Sequence, residues 1–282
     1  MTFELGAYLN RLGLTGADPT SDRLDDLLKA QMSAIPFENV DPFLGSMPDL
    51  DHDAIWRKLV VERRGGYCLE LNTLLGNALD ALGVAKRAVL GRVRMGAPVG
   101  GPRSHLAWIV TAGGRDVLMD AGFGGPGAHG VVPLNPDVPH RVGARTFRIR
   151  GDDATGELVL ERQESDGWLS LYGFDGAPVT DADIEASNVV CSRWHKSPFP
   201  SHLMLNLHRA GGRVSLFDRQ VSVETPNGTK KWTVESLNAL RDCLGDLFRL
   251  DLDEAVLAPT WSKLNAIGMA TMRDHADGAL AS

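Results

Sequence analysis

Apolar side chains recur at helical spacing in three segments of the N-terminal part of the chain. Residues 20–34, 51–62 and 69–82 each place apolar side chains along one face of a helix. Thr20 and Ser21 are candidate N-caps for the first segment. The spacing therefore predicts a mainly helical region. Its predicted apolar stripes comprise Leu24, Leu27, Leu28, Met32, Ile55, Trp56, Leu59, Val60, Leu71, Leu74, Leu75, Ala78, Leu79 and Leu82.

The pattern changes after Val84 to short runs in which apolar and polar residues alternate. Glycine, proline and aspartate separate these runs, which is typical of antiparallel strands. We expect residues 85–190 to form an antiparallel barrel or sandwich. The later part of the chain is mixed, with a hairpin predicted at Gly211–Gly212 and an amphipathic helix predicted after Thr233.

Composition and charge narrow the class of protein. The chain has 282 residues, of which 43% are hydrophobic and 23% charged, and this argues against disorder or a coiled coil. The formal net charge of −7 argues against general nucleic-acid binding, which needs a basic face. No apolar run is long enough for a membrane span, and the N-terminus lacks the pattern of a secretory signal. Three widely spaced cysteines suit a reducing compartment, so we expect a cytoplasmic protein.

Cys68 stands directly after Gly65-Gly66-Tyr67, at the predicted start of a helix. The free N–H groups and the partial positive charge of a helix N-terminus favour a thiolate, which predicts a pKa below the ordinary cysteine value. This setting suits a nucleophile, although a free cysteine by itself is more often a small buried apolar residue. Cys191 and Cys243 lack such a setting, and we interpret Cys243 as a core residue.

A nucleophilic cysteine needs a base, and the base needs an orienting group. Two apolar strands flank Gly113–Gly114, which predicts a hairpin with these glycines at the centre of its turn. In that register Asp120 lies opposite Ala107 on the neighbouring strand. His105 is two residues before Ala107 on that strand, so its side chain points to the same face of the sheet. His105 and Asp120 then lie within side-chain reach. Taken singly, the histidine is equally explained as a half-buried hydrogen-bonded residue, and the aspartate as a turn former.

The segment Gly122–Gly127 matches the GxGxxG pattern of dinucleotide-binding proteins. We reject that interpretation because no helix is predicted after the segment and no acidic residue stands at the expected distance. The segment is instead interpreted as a flexible turn able to present N–H groups to a phosphate. No metal site is predicted either, because His195, His202 and His208 lack the spacing of metal ligands.

Several blocks of sequence resemble the arylamine N-acetyltransferase family, and together they span nearly the whole chain. Residues 64–72, RGGYCLELN, match the highly specific RGGxCxExN motif of that family. Residues 35–39, IPFEN, match a second motif upstream. His105 and the DAGFG at 120–124 resemble the histidine and aspartate blocks of the family. The run NVVCSRWHKSPF, from Asn188, resembles the segment that leads into its third domain.

The resemblance implies a multidomain α+β fold. We expect an N-terminal helical bundle in residues 1–84, which carries the cysteine. An antiparallel β-barrel in residues 85–190 is expected to carry the histidine and the aspartate, and a C-terminal α/β lid is expected in residues 191–282. The implied core is similar to that of papain-like cysteine enzymes.

The resemblance also implies an activity. Members of the family transfer an acetyl group from acetyl-coenzyme A to arylamines, arylhydrazines or arylhydroxylamines by a ping-pong mechanism through an acetyl-cysteine. Acetyl-coenzyme A is a substrate in this mechanism, and no tightly bound cofactor or metal is implied. The implied catalytic residues are Cys68, His105 and Asp120. The positions matching coenzyme A contacts are Ser104, Phe123 and Gly124, and those matching the acceptor pocket are Phe37, Val93 and Phe123.

One segment departs from the family pattern. Residues 201–203 read SHL where an aromatic side chain is expected to face the pocket. On this basis Leu203 is predicted to widen the acceptor site, which leaves the acceptor preference open.

Two other functions stay open at the level of sequence. A cysteine amidohydrolase or transglutaminase-like enzyme would use the same triad without coenzyme A. A non-catalytic binding protein would also fit the scaffold, but the intact cysteine, histidine and aspartate weigh against it. The predicted partners are acetyl-coenzyme A and small aromatic amines or hydrazines, with no nucleic acid and no membrane. Whether the chain forms a homodimer is not determined by its sequence.

Overall fold

The computed structural model describes residues 3–14 and 23–280. Its helices are α1 (Leu5–Leu12), α2 (Leu24–Ala34), α3 (Val40–Phe43), α4 (His52–Trp56), α5 (Cys68–Ala81), α6 (Asp181–Arg193), α7 (Leu237–Phe248) and α8 (Glu254–Leu280). Its strands are β1 (Phe37–Glu38), β2 (Lys86–Val93), β3 (Arg103–Ala112), β4 (Arg115–Met119), β5 (Val132–Pro133), β6 (His140–Val142), β7 (Arg145–Asp152), β8 (Glu157–Glu164), β9 (Gly167–Phe174), β10 (Met204–Arg209), β11 (Gly212–Phe217), β12 (Gln220–Thr225) and β13 (Gly228–Thr233).

The N-terminal part of the chain is mainly helical, as the apolar spacing predicts. Helix α2 begins at Leu24, and the caps expected at Thr20 and Ser21 lie outside the described residues. The predicted helix 51–62 is formed by α4 and a π-helical turn at Arg57–Val61. The apolar faces of α1, α2, α4 and α5 share one buried cluster, so packing against each other stabilises these helices.

An eight-stranded antiparallel sheet follows and nearly closes into a barrel. Its strand order is β5-β4-β3-β2-β9-β8-β7-β6, and the two end strands contact each other. Alternate residues of the strands point inward and fill the interior with apolar side chains. The barrel predicted from the alternating pattern is confirmed. Its buried cluster includes Val89, Ala107, Ile109, Leu118, Phe147, Ile149, Leu160, Leu171, Tyr172 and Phe174.

The β3–β4 hairpin has the register predicted from its turn. Ala112 pairs with Arg115, so Gly113 and Gly114 form the two-residue connection. Both glycines have positive φ, 57° and 74°, which a type I′ turn requires and which side chains resist. The pairing then continues to the end of β4, directly before Asp120. This register carries Asp120 toward the strand that contains the candidate histidine.

A five-stranded sheet joins the N-terminal and C-terminal parts of the chain. Its order is β1-β10-β11-β12-β13. Phe37 in β1 pairs with Asn206 in β10, so the IPFEN segment is an edge strand of this sheet. The β10–β11 turn is centred on Ala210 and Gly211, one residue before the predicted position.

Two helices pack with the five-stranded sheet. Helix α7 begins at Leu237 with Ser236 as its N-cap, later than predicted, because β13 continues to Thr233. Helix α8 follows it, and the apolar faces of both helices join a second buried cluster. Val40 and Phe43 of α3 belong to the same cluster. The N-terminal part of the chain therefore contributes to two cores.

Helix α6 connects the barrel to the five-stranded sheet and packs against β3. Thr180 caps it, and Asp183 completes a capping box. Over the described residues, none of the helices is both long and apolar enough to cross a membrane.

Candidate active site

A cavity of about 530 Å³ lies between the start of α5, the barrel, α6 and the five-stranded sheet. Its surface is predominantly apolar. The structure thus brings segments that are far apart in sequence to one cavity. Seven of the predicted site residues line this cavity: Phe37, Cys68, Val93, Ser104, His105, Phe123 and Gly124. Asp120 and Leu203 do not.

Buried ion pairs hold the loop that precedes α5. Arg64 Nη2 donates to Glu38 at 2.7 Å. Lys58 Nζ donates to Glu70 at 2.6 Å, and Asp41 accepts from both cations. Only 2% of Glu70 is exposed. Its second carboxylate oxygen accepts a hydrogen bond from the backbone N–H of Tyr67, the residue directly before Cys68. Removing one partner would leave a buried charge uncompensated, so this network fixes where α5 begins.

His105 and Asp120 form a buried pair. Nε2 of His105 lies 2.7 Å from Oδ2 of Asp120, as the predicted hairpin register requires. The rings of Phe123 and Tyr172 pack edge-on against the imidazole, with centroids at 5.0 and 4.6 Å. The imidazole is thereby held in place, and Nδ1 is the ring nitrogen left for a reacting group.

Four donors hold the carboxylate of Asp120. Its Oδ1 accepts from Asn72 Nδ2 at 3.0 Å and from the N–H of Gly122 at 2.9 Å. Its Oδ2 accepts from the Tyr172 hydroxyl at 2.9 Å and faces His105. Burial alone would raise the pKa of Asp120, but the His105 charge and these hydrogen bonds outweigh it and hold the pKa below its ordinary value. The carboxylate is therefore ionised and oriented.

Asn72, the last residue of the RGGYCLELN block, connects the helix that begins at Cys68 to the hairpin. Besides Asp120, its Nδ2 contacts the carbonyl oxygen of Leu106 at 2.6 Å. Its Oδ1 accepts the N–H of Ala121 at 2.9 Å. Sequence analysis did not assign this residue or Tyr172 to the site, although the asparagine of the matched motif was an available signal.

The Cys68 side chain is 4% exposed at the first residue of α5. Its Sγ lies 3.9 Å from the carbonyl oxygen of Ser104. A hydrogen bond with the Cys191 thiol, burial and the negative charge of Asp120 raise the pKa of Cys68 well above its ordinary value, against a lowering by the N–H of Leu69. The lowered pKa predicted from the helix position is wrong for this structure, because these neighbours outweigh the helix N-terminus.

Cys191 is a neighbour that sequence analysis missed. It lies on α6 and lines the same cavity as Cys68, although nothing in its spacing predicted which face of α6 turns inward. Cys243 instead packs in the cluster beneath the five-stranded sheet, as predicted.

Aromatic side chains form one side of the cavity. Phe37 lies against Phe199 with ring centroids 6.0 Å apart, and Trp194 also lines the space. Val93 is 40% exposed and marks a more open edge. The prediction that Leu203 widens the pocket is wrong. Leu203, directly before β10, is fully buried in the second cluster and does not line the cavity, because it packs among the apolar side chains of that cluster.

The glycine-rich segment Gly122–Gly127 forms another wall. The next described helix after it is α6, far along the chain, which agrees with rejecting a dinucleotide site. Next to this wall, Nδ2 of Asn206 is buried without a hydrogen-bond partner among the described residues. The described residues contain no group of three or more His, Cys, Asp or Glu placed to hold a metal ion.

The close approach of Gly122 to the nucleophile gives a testable expectation. A Cβ at this position would lie 2.6 Å from Cα of Cys68 and 2.8 Å from Nδ2 of Asn72. We expect Gly122→Ala to push α5 away from the hairpin and to lower the free energy of unfolding by about 1–3 kcal/mol in urea titrations. Gly125→Ala is the matched control, since its Cβ would meet nothing nearer than 3.5 Å. Equal unfolding midpoints for both variants would show that this contact is not tight.

Comparison with known proteins places the chain in a family. A family model described as N-acetyltransferase matches residues 20–257. An arylamine N-acetyltransferase of Mycobacterium tuberculosis is 32% identical over 260 residues, which cover 89% of this chain and 91% of that protein. An arylamine N-acetyltransferase / N-hydroxyarylamine O-acetyltransferase of Salmonella typhimurium is 30% identical and covers 98% of both.

Solved structures agree with the sequence matches. The Mycobacterium marinum arylamine N-acetyltransferase in complex with CoA has a TM-score of 0.86 and 32% identity, over 94% of this chain and 99% of that chain. The Salmonella typhimurium arylamine N-acetyltransferase also has a TM-score of 0.86, with 29% identity, over 93% of this chain and 98% of that chain. From the motifs, the fold and these matches, the chain belongs to the arylamine N-acetyltransferase family.

Proposed function

We propose that the chain transfers an acetyl group from acetyl-coenzyme A to the nitrogen of arylamines, arylhydrazines or arylhydroxylamines. The observation that carries this proposal is the cavity lined by both Cys68 and His105, with Asp120 accepting the hydrogen bond of the imidazole from the buried side. Relatives that match nearly the whole chain are named for this activity, and one structural neighbour holds CoA. The acetyl group would pass through an acetyl-Cys68 intermediate.

The first half of the reaction loads the cysteine. His105 takes up the proton of the Cys68 thiol, as a general base, when the sulfur attacks the acetyl carbonyl. The coenzyme leaves as a thiolate and takes the proton back from His105. One thioester is exchanged for another, so the step is close to balanced in energy and reversible. Asp120 orients the imidazole and stabilises its charged form.

The second half of the reaction transfers the acetyl group to nitrogen. An uncharged arylamine attacks the acetyl-Cys68 carbonyl, the thiolate of Cys68 leaves, and His105 relays the amine proton to it. The apolar walls around Phe37 and Phe123 suit an aromatic ring. The same walls limit the access of water, which would otherwise hydrolyse the thioester.

Donor and acceptor use the same cavity in turn in this proposal. Ser104, Phe123 and Gly124 contact coenzyme A, and the glycine-rich turn presents its N–H groups to the coenzyme. The acceptor ring then occupies the space beside Phe37, Val93 and Phe123. That all these residues line one cavity supports the sequential use of one site.

The division of the chain is part of the same proposal. We propose a helical bundle in residues 1–84, a barrel in residues 85–190 and a lid in residues 191–282, with α6 crossing the second boundary as a rigid connection. Three free cysteines support a reducing, cytoplasmic location.

A three-arm assay tests the proposed reaction. Acetyl-coenzyme A and the protein are incubated near neutral pH with aniline, with a simple alkylamine or with no amine, and free coenzyme A is measured. We expect rapid release over many turnovers with aniline alone, and no more than one coenzyme A per protein molecule in the arm without an amine. An alkylamine with a pKa like that of lysine is unprotonated in only about one part in 10³ near neutral pH, so it should react slower by about that factor. Its flexible alkyl chain also packs less well than an aromatic ring against the aromatic side chains of the cavity.

The same assay separates the alternative enzyme class. A cysteine amidohydrolase or transglutaminase-like enzyme would not need acetyl-coenzyme A. Its signature would be no acetylated aniline in the first arm, together with hydrolysis of simple amides. Equal release of coenzyme A in all three arms would identify a thioester hydrolase and contradict acetyl transfer.

A further inference from the structure

A second thiol lies beside the candidate nucleophile. Cys191 is 4% exposed on α6, and Cys68 is 4% exposed at the start of α5. The carbonyl oxygen of Ser104 is within hydrogen-bond distance of both sulfurs, 3.9 Å from Cys68 Sγ and 3.5 Å from Cys191 Sγ. One backbone group therefore holds the two side chains on the same side of β3.

The two thiols also line the same cavity. Because both sulfurs lie within 4 Å of one carbonyl oxygen, they are close neighbours. The Cys191 thiol is also the largest cause of the raised pKa of Cys68. Cys243 packs in a different core and is not among the lining residues. The chain thus contains one juxtaposed pair of thiols and one isolated thiol.

We propose that Cys68 and Cys191 are a site of reversible oxidative modification, at which a hydroperoxide converts the two thiols to a disulfide. An apolar residue would serve equally well as a buried wall of the cavity, whereas a second thiol close to a nucleophilic cysteine can form a disulfide with it. Cys191 then acts as the resolving cysteine for an oxidised Cys68.

The chemistry balances with hydrogen peroxide as the oxidant. The thiolate of Cys68 attacks one oxygen of the peroxide and the O–O bond breaks, which forms a sulfenic acid on Cys68. The hydroxide that leaves combines with the proton lost by the thiol to give the first water. The Cys191 sulfur then attacks the Cys68 sulfur, the S–O bond breaks, and a second water leaves. The two thiols lose two electrons and two protons, and the peroxide is reduced to two waters. A disulfide S–S bond is about 2.05 Å long, so the two sulfurs must move closer together for the bond to form.

The disulfide has a protective consequence. A sulfenic acid that is not resolved proceeds to sulfinic and sulfonic acids, which thiol reductants do not reverse. Resolution by Cys191 keeps Cys68 in a form that dithiothreitol restores. The loss and recovery of acetyl transfer rest on the proposed function, but the disulfide itself does not.

Thiol mapping tests the proposal. The full chain is treated with hydrogen peroxide, its free thiols are alkylated under denaturing conditions, and its peptides are identified by mass spectrometry. We expect the three free cysteines to fall to one, with Cys243 alkylated and one peptide linking Cys68 to Cys191. Dithiothreitol should restore both thiols. Cys243→Ala should give the same linked peptide as the unaltered chain.

Two variants make the test specific. In Cys191→Ser and in Cys191→Ala, we expect Cys68 to accumulate as sulfinic and sulfonic acid that dithiothreitol does not recover. The proposal is overturned if the unaltered chain gives the same products as these variants. It is equally overturned if Cys68 links to Cys243 or to a second chain, or if Cys68 is not oxidised at all. These measurements report the oxidation state of the cysteines and not acetyl transfer. A negative result would therefore overturn the disulfide proposal and leave the proposed acetyl transfer untouched.

Discussion

Replacing Cys68 by serine is expected to lower the rate of arylamine acetylation by roughly 10⁴-fold or more, the order of loss when a triad member is removed. A hydroxyl is a much weaker acid than a thiol, so His105 cannot deprotonate it comparably. An acetyl-serine ester would also be a poorer acetyl donor to an amine than a thioester. The measurement is the initial rate of acetylated product with saturating acetyl-coenzyme A.

A second cysteine variant controls for the loss of a buried thiol. Cys243 lies in the core beneath the five-stranded sheet, away from the cavity, so Cys243→Ala should acetylate arylamines close to the unaltered rate. Unfolding midpoints of both variants show whether either change has weakened the fold. If the Cys68→Ser protein folds and works as fast as Cys243→Ala, Cys68 does not carry the acetyl group.

Asp120→Asn is expected to preserve the fold and to lower turnover by about 10⁴-fold. Oδ1 of Asp120 accepts from Asn72 and Gly122, while Oδ2 faces His105 and accepts from Tyr172. With the asparagine oxygen kept on the first pair, its NH₂ group faces Nε2 of the imidazole. His105 would then carry its proton on Nδ1 and could not accept a proton from the thiol there.

Tyr172→Phe is the matched control for this prediction. It removes one donor to Oδ2 and leaves His105 2.7 Å from the same carboxylate. We expect a much smaller loss of turnover than in Asp120→Asn, measured under the same saturating conditions. Similar turnover in Asp120→Asn and in the unaltered protein would mean that the aspartate does not orient the histidine.

The part of the site on the hairpin could be predicted from the sequence because its determinants are local. Two adjacent glycines set the turn, and the two-residue period of strands then decides which side chains share a face. This reasoning brought His105 and Asp120 together before any distance was known. The position of Cys68 at a helix start could be predicted for the same reason, since the glycines and the apolar spacing lie next to it.

Other features depend on contacts between distant segments and could not be predicted. The place of Cys191 depends on how α6 packs on β3, which the weakly amphipathic sequence of α6 does not specify. Leu203 was assigned to the pocket from its place in the sequence, but it packs in the second buried cluster together with residues that are distant along the chain. The lowered pKa of Cys68 was predicted from its helix start and from the nearby His105. The sequence did not reveal the burial of the thiol or its neighbour Cys191, which raise the pKa.

In the proposed reaction the acetyl group passes through Cys68. We would measure the intact mass of the protein after mixing with acetyl-coenzyme A in the absence of an acceptor, and then map the modified peptide. We expect one acetyl group on Cys68, lost as N-acetylated product when aniline is added, and no such adduct in Cys68→Ser. Rapid turnover with an unmodified protein, or with the acetyl group on Cys191, Cys243 or a lysine, would contradict the proposed reaction.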